Sequence, residues 1–188
     1  MDTKESLLEI GLELFSQAPY EAVGVQDIVD RAQVTKPTLY HHFRSKLGFY
    51  QAVFLEYAVP LFRAMIDNTH YEGDLVKNLN EIAIAALEYC HRSPESYKLV
   101  AFALHMSDIS EHHDFVSKYW LELYRSMNKL FTEATEQHGN LRGKTEPSTW
   151  HFLYSLVAQA ETTILHPEAY RRETAYELVK QFMYGIFA

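Results

Sequence analysis

Residues 23–53 read VGVQDIVDRAQVTKPTLYHHFRSKLGFYQAV and contain the signals for two short helices joined by a tight turn. Gly24 can cap a short helix that buries Ile28. Thr35 can cap the next helix, because Pro37 then lies in the first turn, where its missing N–H costs nothing. Only three or four residues separate the two helices. Such a spacing is typical of a helix-turn-helix.

Helices are also predicted on both sides of this motif. Apolar residues within positions 7–18 follow helical spacing, and Pro19 stops that helix. Ser45 can cap a fourth helix, which runs from about residue 46 toward residue 67. Pro60 lies inside this segment, and an interior proline removes one backbone hydrogen bond. We therefore expect a kink or a short break at Pro60, and a mechanical joint at that point.

The remainder of the chain is predicted to be helical as well. Seven Gly and six Pro are its few interruptions, and no stretch alternates with a period of two residues. Helices are expected within residues 75–90, 97–106, 110–137, 147–164 and 173–187, with a flexible connection at 139–144. The fold class is therefore all-α, with a three-helix N-terminal domain at 1–47 and a helical bundle at 48–188.

Composition narrows the class of protein. The chain is 47% hydrophobic, which supports a packed core, and its single cysteine, Cys90, excludes a disulfide framework and a cysteine-rich zinc site. The first residues lack a signal-peptide core, and no run of about 18 apolar residues occurs. We therefore expect a cytoplasmic protein. No glycine-rich phosphate loop or nucleophile elbow is present, so we expect neither an enzyme nor a bound cofactor.

Ten histidines raise the alternative of a metal site. The densest cluster holds His112 and His113, with His105 nearby in sequence. Neighbouring residues on a helix point about 100° apart, so these two side chains share one ion poorly. No two histidines are three or four residues apart, and HExxH is absent. We expect solvated or core histidines and no metal site.

The distribution of charge matters more than its sum. The net charge of −8 argues against a nucleic-acid partner, yet no Asp or Glu occurs between Asp30 and Glu56. We call the positive side chains of this window the basic island: Arg31, Lys36, Arg44 and Lys46, with His41 and His42. Chance in a charge-poor stretch is the alternative explanation. A segment that contacts nucleic acid would require such an island.

The helix that begins near residue 36 has two different faces. Leu39 and Phe43 lie four residues apart and can anchor on Ile28 and Phe15. The side chains that face elsewhere can donate or accept hydrogen bonds, and they are Lys36, Thr38, His41 and His42. A helix that exposes several donors beside cations suits the major groove of DNA.

The uninterrupted block from Thr38 to Lys46, TLYHHFRSK, resembles the DNA-binding motif of the TetR family of regulators. The resemblance covers roughly residues 5–56 and implies that Tyr40 and Lys46 hold phosphates. It places further residues near base edges and the DNA backbone: Lys36, Pro37, Thr38, His41 and His42, with Thr35 and Gln26 as additional candidates. Three positions depart from the family pattern: Gln33 replaces the turn glycine, Gly24 a capping threonine and Pro19 a glycine. At Gln33 two alternatives follow: the residue adopts a positive φ and is strained, or the turn differs from that of the family.

The same resemblance implies an effector pocket and a dimer in the bundle. The residues expected to line a pocket for an apolar or aromatic small molecule are Tyr97, Phe102, His105, Met106, Tyr119, Trp120, Tyr124, His151 and Tyr154. Ordinary core packing is the alternative for most of them. Two apolar stripes at helical spacing can pair with a second copy as a four-helix bundle; they contain Trp150, Leu153, Val157, Ala160 and Ile164, and then Tyr176, Val179, Met183 and Ile186. The alternative is that both stripes face the core of their own chain.

These observations predict a homodimeric, sequence-specific DNA-binding regulator. It would repress by occupying a palindromic operator and leave it when a small effector binds. The alternative is a helical ligand-binding or metal-binding protein with a vestigial helix-turn-helix. The affinity of the regulator for DNA should fall steeply with salt, whereas the alternative predicts no such dependence.

Overall fold

The computed structural model describes residues 2–104 and 112–187, and within these ranges every regular element is helical. The α-helices are α1 Thr3–Phe15, α2 Val25–Arg31, α3 Lys36–Phe43, α4 Lys46–Tyr57, α5 Val59–Ile66, α6 Leu75–Arg92, α7 Pro94–Leu104, α8 His113–Ala134, α9 Thr145–Leu165 and α10 Glu173–Phe187. Short 3-10 turns occur at Tyr20–Ala22, Gly139–Leu141 and Pro167–Ala169. The predicted all-α fold class is confirmed.

Packing divides the chain into two compact units. The first unit contains Met1–Pro60 and Glu95–Tyr119, and the second contains Leu61–Pro94 and Trp120–Ala188. The expected division at 1–47 and 48–188 concerns function and stays a prediction. The chain passes between the units at three points, and Pro60 lies at the first of them.

The first unit is built on the close approach of α1 and α4. Gly11 is buried in α1, and a side chain there would clash with Val53 and lie 2.7 Å from the ring of Phe49. The ring of Phe15, at the end of α1, lies 5.9 Å from Phe49 and 5.0 Å from the ring of Tyr50. These contacts provide the base against which the two shorter helices, α2 and α3, pack.

The predicted caps are confirmed by their hydrogen bonds. Gly24 lies at the N-cap of α2, where its N–H donates to Asp27 Oδ2 over 2.8 Å. The Thr35 hydroxyl accepts from the backbone N–H of Thr38, and the Ser45 hydroxyl accepts from the N–H of Gly48 over 2.9 Å. Each cap satisfies a donor that the first turn of a helix would leave unpaired.

The predicted interruption near Pro60 is a short break. The first helix of this segment, α4, ends at Tyr57, and Ala58 separates it from α5. Pro60 is the second residue of α5, where a missing N–H has no intrahelical partner to lose. The structure therefore shows a new helix that starts after a break, and a role of Pro60 in switching stays a prediction.

The second unit packs α6 against α9 and α10. Its interior is apolar, and the largest fully buried side chains include Leu79, Ile82, Phe131 and Phe152. Cys90 is also buried there, and burial raises the pKa of its thiol to about 12, so the thiol is protonated at neutral pH. Cys90 therefore fills space in the apolar core as a small hydrophobic side chain.

Two predicted boundaries in this part of the chain differ from the structure. The described part of α8 begins at His113 and ends at Ala134, three residues before the predicted end; the predicted start, Ser110, lies outside the described residues. The connection at 139–144 is not simply flexible, because it contains a 3-10 turn that buries Leu141 completely. No helix within the described ranges is both long and apolar enough to span a membrane.

Candidate nucleic-acid interface

The helix α3 turns two apolar side chains inward. Leu39 is completely buried, and Phe43 is buried with its ring 4.9 Å from that of Phe49 on α4. Phe49 in turn contacts Phe15, so the predicted anchor of Phe43 on Phe15 runs through an intervening ring. The split between a buried and an outward face of α3 follows from these anchors.

The outward face carries the side chains that the sequence predicts for DNA. Tyr40 is 41% exposed. The other exposed members of the set are Thr35, Lys36, Pro37 and His41, whereas Thr38 and His42 are half-buried. The rings of His41 and His42 lie 5.4 Å apart. The N-terminal turn and one face of α3 therefore present hydroxyl, imidazole and ammonium groups to solvent.

Two hydrogen bonds restrain polar groups at the edge of this face. The hydroxyls of Thr35 and Thr38 lie 2.9 Å apart, which fixes the orientation of both. Gln26 is exposed on α2, and its side-chain Nε2 donates to Asp30 Oδ1 over 2.7 Å. Gln26 would have to leave Asp30 before that N–H could contact a base or a phosphate.

The turn between α2 and α3 requires a left-handed residue. Gln33 has a φ of 53°, so of the two alternatives at this position the structure shows the residue with a positive φ. The Gln33 N–H donates to the Asp30 carbonyl, and the Val34 N–H donates to the Val29 carbonyl over 3.0 Å. This pair of bonds is a Schellman motif, which ends α2 and directs the chain into α3.

The turn between α3 and α4 contains two features that sequence reasoning missed. Arg44 has a φ of 68° and exposes its guanidinium at the end of α3. Gly48 lies in the first turn of α4, where any side chain would clash with the Phe43 carbonyl oxygen. The spacing of Ser45 and Gly48, a cap and the third residue after it, was the available signal for this close approach.

The basic island is smaller in the structure than in the sequence. Arg31 forms an ion pair with Glu13, so its charge is partly compensated. No ion pair described within residues 2–104 and 112–187 involves Lys36 or Arg44, which are both exposed. The Lys46 ammonium lies 4.2 Å from the centroid of the Tyr20 ring. Lys36 and Arg44 therefore bracket α3, one at each end of the helix.

The residues predicted for an effector pocket are distributed over both compact units. Tyr97 is buried, and Phe102 and Tyr119 are half-buried, all in the first unit. In the second unit Trp120 and Tyr124 are half-buried, whereas His151 and Tyr154 are exposed. His105 and Met106 lie outside the described residues. The proposed lining of one pocket therefore stays a prediction.

Several of these rings contact one another within their own unit. Tyr119 lies 5.7 Å from Phe54 in the first unit. In the second unit the Trp150 ring lies 4.6 Å from Tyr124 and 5.9 Å from Tyr154. The second group forms a row of aromatic rings that leads from α8 to the exposed surface of α9.

The stripes predicted for a dimer are partly occupied by the core of the chain itself. Four members of the stripes are already buried within the single chain: Leu153, Ala160, Val179 and Met183. Three more are half-buried, namely Trp150, Val157 and Ile164, and Tyr176 is exposed. The side chain of Ile186 lies outside the described residues. The large apolar side chains that are exposed on α9 and α10 include only one member of these stripes, Tyr176, and we call them the outer face: Tyr154, Leu165, Tyr176 and Tyr184. Tyr184 is 67% exposed, and Leu165 is 73% exposed.

Comparison with known proteins identifies the segment that contains α3. Residues 7–53 match the family model described as "Bacterial regulatory proteins, tetR family". The HTH-type transcriptional activator FasR of Mycolicibacterium smegmatis is 30% identical over 99 residues, which cover 53% of this chain and 45% of FasR. The HTH-type transcriptional repressor KstR2 of Mycobacterium tuberculosis is 28% identical over 95 residues, which cover 49% of this chain and 48% of KstR2. The chain thus spans about half the length of the curated relatives it matches.

The fold of the whole chain resembles that of solved regulators. A TetR-like transcriptional regulator from Rhodococcus sp. RHA1 superposes with a TM-score of 0.74 at 15% identity, over 97% of this chain and 93% of that one. At such low identity the likeness concerns the fold alone. The match to the tetR family of bacterial regulatory proteins thus concerns residues 7–53, the part of the chain that contains the helix-turn-helix around α3.

Proposed function

We propose that this chain is a sequence-specific DNA-binding transcriptional regulator whose α3 enters the major groove. One observation carries the proposal: α3 is anchored by the buried Leu39 and Phe43 and exposes a contiguous polar face. Lys36 begins the helix, and its charge is not compensated by any described ion pair. A rigidly held helix with outward donors can contact base edges without first ordering its own backbone.

Phosphate contacts would fix the position of α3 on the duplex. The Tyr40 hydroxyl and the Lys46 ammonium are the groups proposed for this role, and Arg44 adds a third positive or polar group at the same end of the helix. The N-terminus of α4, which Ser45 caps, carries the positive end of the helix dipole and so favours an anion nearby. Such contacts contribute affinity that does not depend on sequence, whereas Lys36, Thr38, His41 and His42 would contribute selectivity.

A dimer formed through the outer face would present two copies of α3, one for each half of a palindromic operator. Tyr154, Leu165, Tyr176 and Tyr184 expose large apolar areas on the last two helices. A groove of about 480 Å³ is lined by Tyr176 and Tyr184 of α10, together with Val76 and Asn80 of α6. A second copy that packs on this face would cover the apolar side chains and form an isologous interface.

The protein would regulate transcription by occupying the operator and thus act as a repressor. We further propose that it is cytoplasmic and that it is not an enzyme. The named relatives include an activator and a repressor, so the direction of regulation is part of the proposal. The effector proposed is an apolar or aromatic small molecule, because the candidate lining is rich in aromatic side chains. It would lower operator affinity only if it binds the low-affinity state more tightly.

The test is selection of genomic DNA fragments by the purified protein, followed by titration of the selected fragment. We expect one palindromic site per dimer, with an affinity that falls steeply as salt rises. Lys129→Ala serves as the control, because Lys129 is an exposed lysine on α8 that pairs with Glu133. Recovery of no preferred sequence, with equal retention of all fragments, would contradict the proposal.

A further inference from the structure

The ammonium of Lys46 is held by a ring and not left to move freely in solvent. Its Nζ lies 4.2 Å from the centroid of Tyr20, a distance at which a cation is attracted to an aromatic face. Lys46 is the first residue of α4, whereas Tyr20 begins the 3-10 turn after α1. An ammonium has three N–H donors, and the ring occupies one side of it. The contact with the ring therefore limits the directions from which a phosphate oxygen can approach the ammonium.

The Tyr20 ring is itself held from several directions. Tyr20 is buried, and its ring stacks on Phe15 at 6.2 Å and meets the edge of Tyr50 at 5.1 Å. Its nearest described ring is His112, at 4.5 Å. A ring with three such neighbours cannot change its rotamer without repacking them. The position of the ring therefore determines where the Lys46 ammonium can lie.

His112 reaches this cluster from a distant part of the sequence. It is completely buried and packs against Tyr50 as well as Tyr20, with ring centroids 4.9 Å apart in the Tyr50 pair. Its Nδ1 lies 3.8 Å from Glu21 Oε1. Burial, followed by the charge of Glu21, raises the pKa of the Tyr50 hydroxyl, so this ring stays neutral. His112 immediately precedes α8, and its packing therefore joins the start of that helix to the Tyr20 ring.

We infer that Tyr20 is a positioning residue for Lys46 and that His112 holds Tyr20 in place. The inference rests on the proposed function, because Lys46 matters only if it contacts DNA phosphate. A lysine restrained by a ring loses less side-chain freedom on binding than a free one. Operator affinity then depends on two buried residues that touch no DNA.

The experiment is a double-mutant cycle on the selected operator fragment. Tyr20→Leu should weaken binding about threefold to tenfold, since it removes the ring and its attraction for the ammonium. Tyr20→Phe is the matched control and should retain parental affinity, because the ring remains. In the Lys46→Ala background, both substitutions should change the affinity less than twofold. His112→Ala should weaken operator binding as Tyr20→Leu does. This loss should likewise disappear in the Lys46→Ala background.

Equal losses in both backgrounds would overturn the inference, because they would assign Tyr20 and His112 a general structural role. The inference would also be overturned if Tyr20→Leu, in the parental background, bound the operator as tightly as the parent. The same holds if Lys46→Ala bound the operator as tightly as the parent. Circular dichroism establishes whether each variant folds.

A measurement on the parental protein keeps the inference testable if Tyr20→Leu does not fold. The ε-methylene protons of Lys46 should show an upfield ring-current shift in the NMR spectrum, and the shift should persist in Tyr20→Phe. An unshifted resonance would overturn the inference. If the parental protein binds no DNA fragment selectively, the proposed function fails, whereas the ring-current shift still reports the Tyr20–Lys46 contact.

Discussion

The helix α3 and the last two helices, α9 and α10, differ in where their regularly spaced apolar side chains are buried. In α3 the pair Leu39 and Phe43 has one possible destination, the core of its own short domain, so the outward face follows directly. In α9 and α10 the apolar residues occupy more than one face: Leu153 and Val179 are buried within the chain, whereas Tyr184 is exposed. An apolar stripe thus predicts burial reliably, but it does not say whether the covering surface belongs to the same chain.

The largest expected effect comes from closing the space at the turn after α3. Gly48→Ala introduces a Cβ against the Phe43 carbonyl oxygen, a backbone atom that cannot rotate away. We expect a loss of roughly 1–3 kcal/mol in the free energy of unfolding and loss of operator binding. Chemical denaturation and fluorescence anisotropy measure the two effects.

Gly139→Ala is the control for this prediction, since no atom lies within 4 Å of the Cβ position and the residue has no positive φ. A Gly48→Ala variant as stable as Gly139→Ala would show that the turn can relax, and it would weaken the claim that local geometry fixes α3.

The second effect concerns the outer face of α9 and α10. Tyr184→Glu places a charge on a side chain that is 67% exposed in the single chain, so folding of the chain should survive. We expect the dissociation constant of the dimer to rise by at least about tenfold, because the variant loses a central aromatic contact and buries a charge in the interface. Analytical ultracentrifugation measures the dissociation constant.

Leu121→Glu on α8 provides the comparison, since Leu121 is exposed but lies outside the outer face. If both variants dimerise like the parent, the outer face is not the interface. A partner would then have to pack on another surface.

A smaller effect is expected at Pro60, where the chain first leaves the first unit. Pro60→Ala restores a backbone donor and permits α4 and α5 to join across Ala58. We expect a changed operator affinity, a changed effector response, or both, in a folded dimer. Titration with and without effector tests this. Identical values for variant and parent would leave Pro60 a structural feature of the start of α5.

The smallest effect is expected at the turn between α2 and α3. Gln33 has a φ of 53°, a conformation that costs a residue with a Cβ about 1 kcal/mol more than glycine. Gln33→Gly should therefore raise the free energy of unfolding by about 0.5–1 kcal/mol, less the entropy that glycine adds to the unfolded chain. A lower stability would mean that the Gln33 side chain contributes a contact that outweighs the strain.

How much of this structure the sequence predicts depends on how far apart in the chain the interacting residues lie. The caps at Thr35 and Ser45 and the strained Gln33 were predictable, because each depends on neighbours within a few residues. The Tyr20–His112 contact was not, since it joins residues far apart in the chain and neither carries a local signal. The clash at Gly48 lies between these cases: the spacing was visible, but the approach of the Phe43 carbonyl depends on the path of the turn.

The central claim, that α3 and its flanking cations bind DNA, is tested most directly by the salt dependence of operator affinity for the parent and for Lys46→Ala. Each lost phosphate contact should lower the slope of log K against log salt by about one. We expect this reduction for Lys46→Ala, with a weaker affinity for all sequences, and no change for Lys129→Ala. Parental slope and affinity in Lys46→Ala would contradict the account.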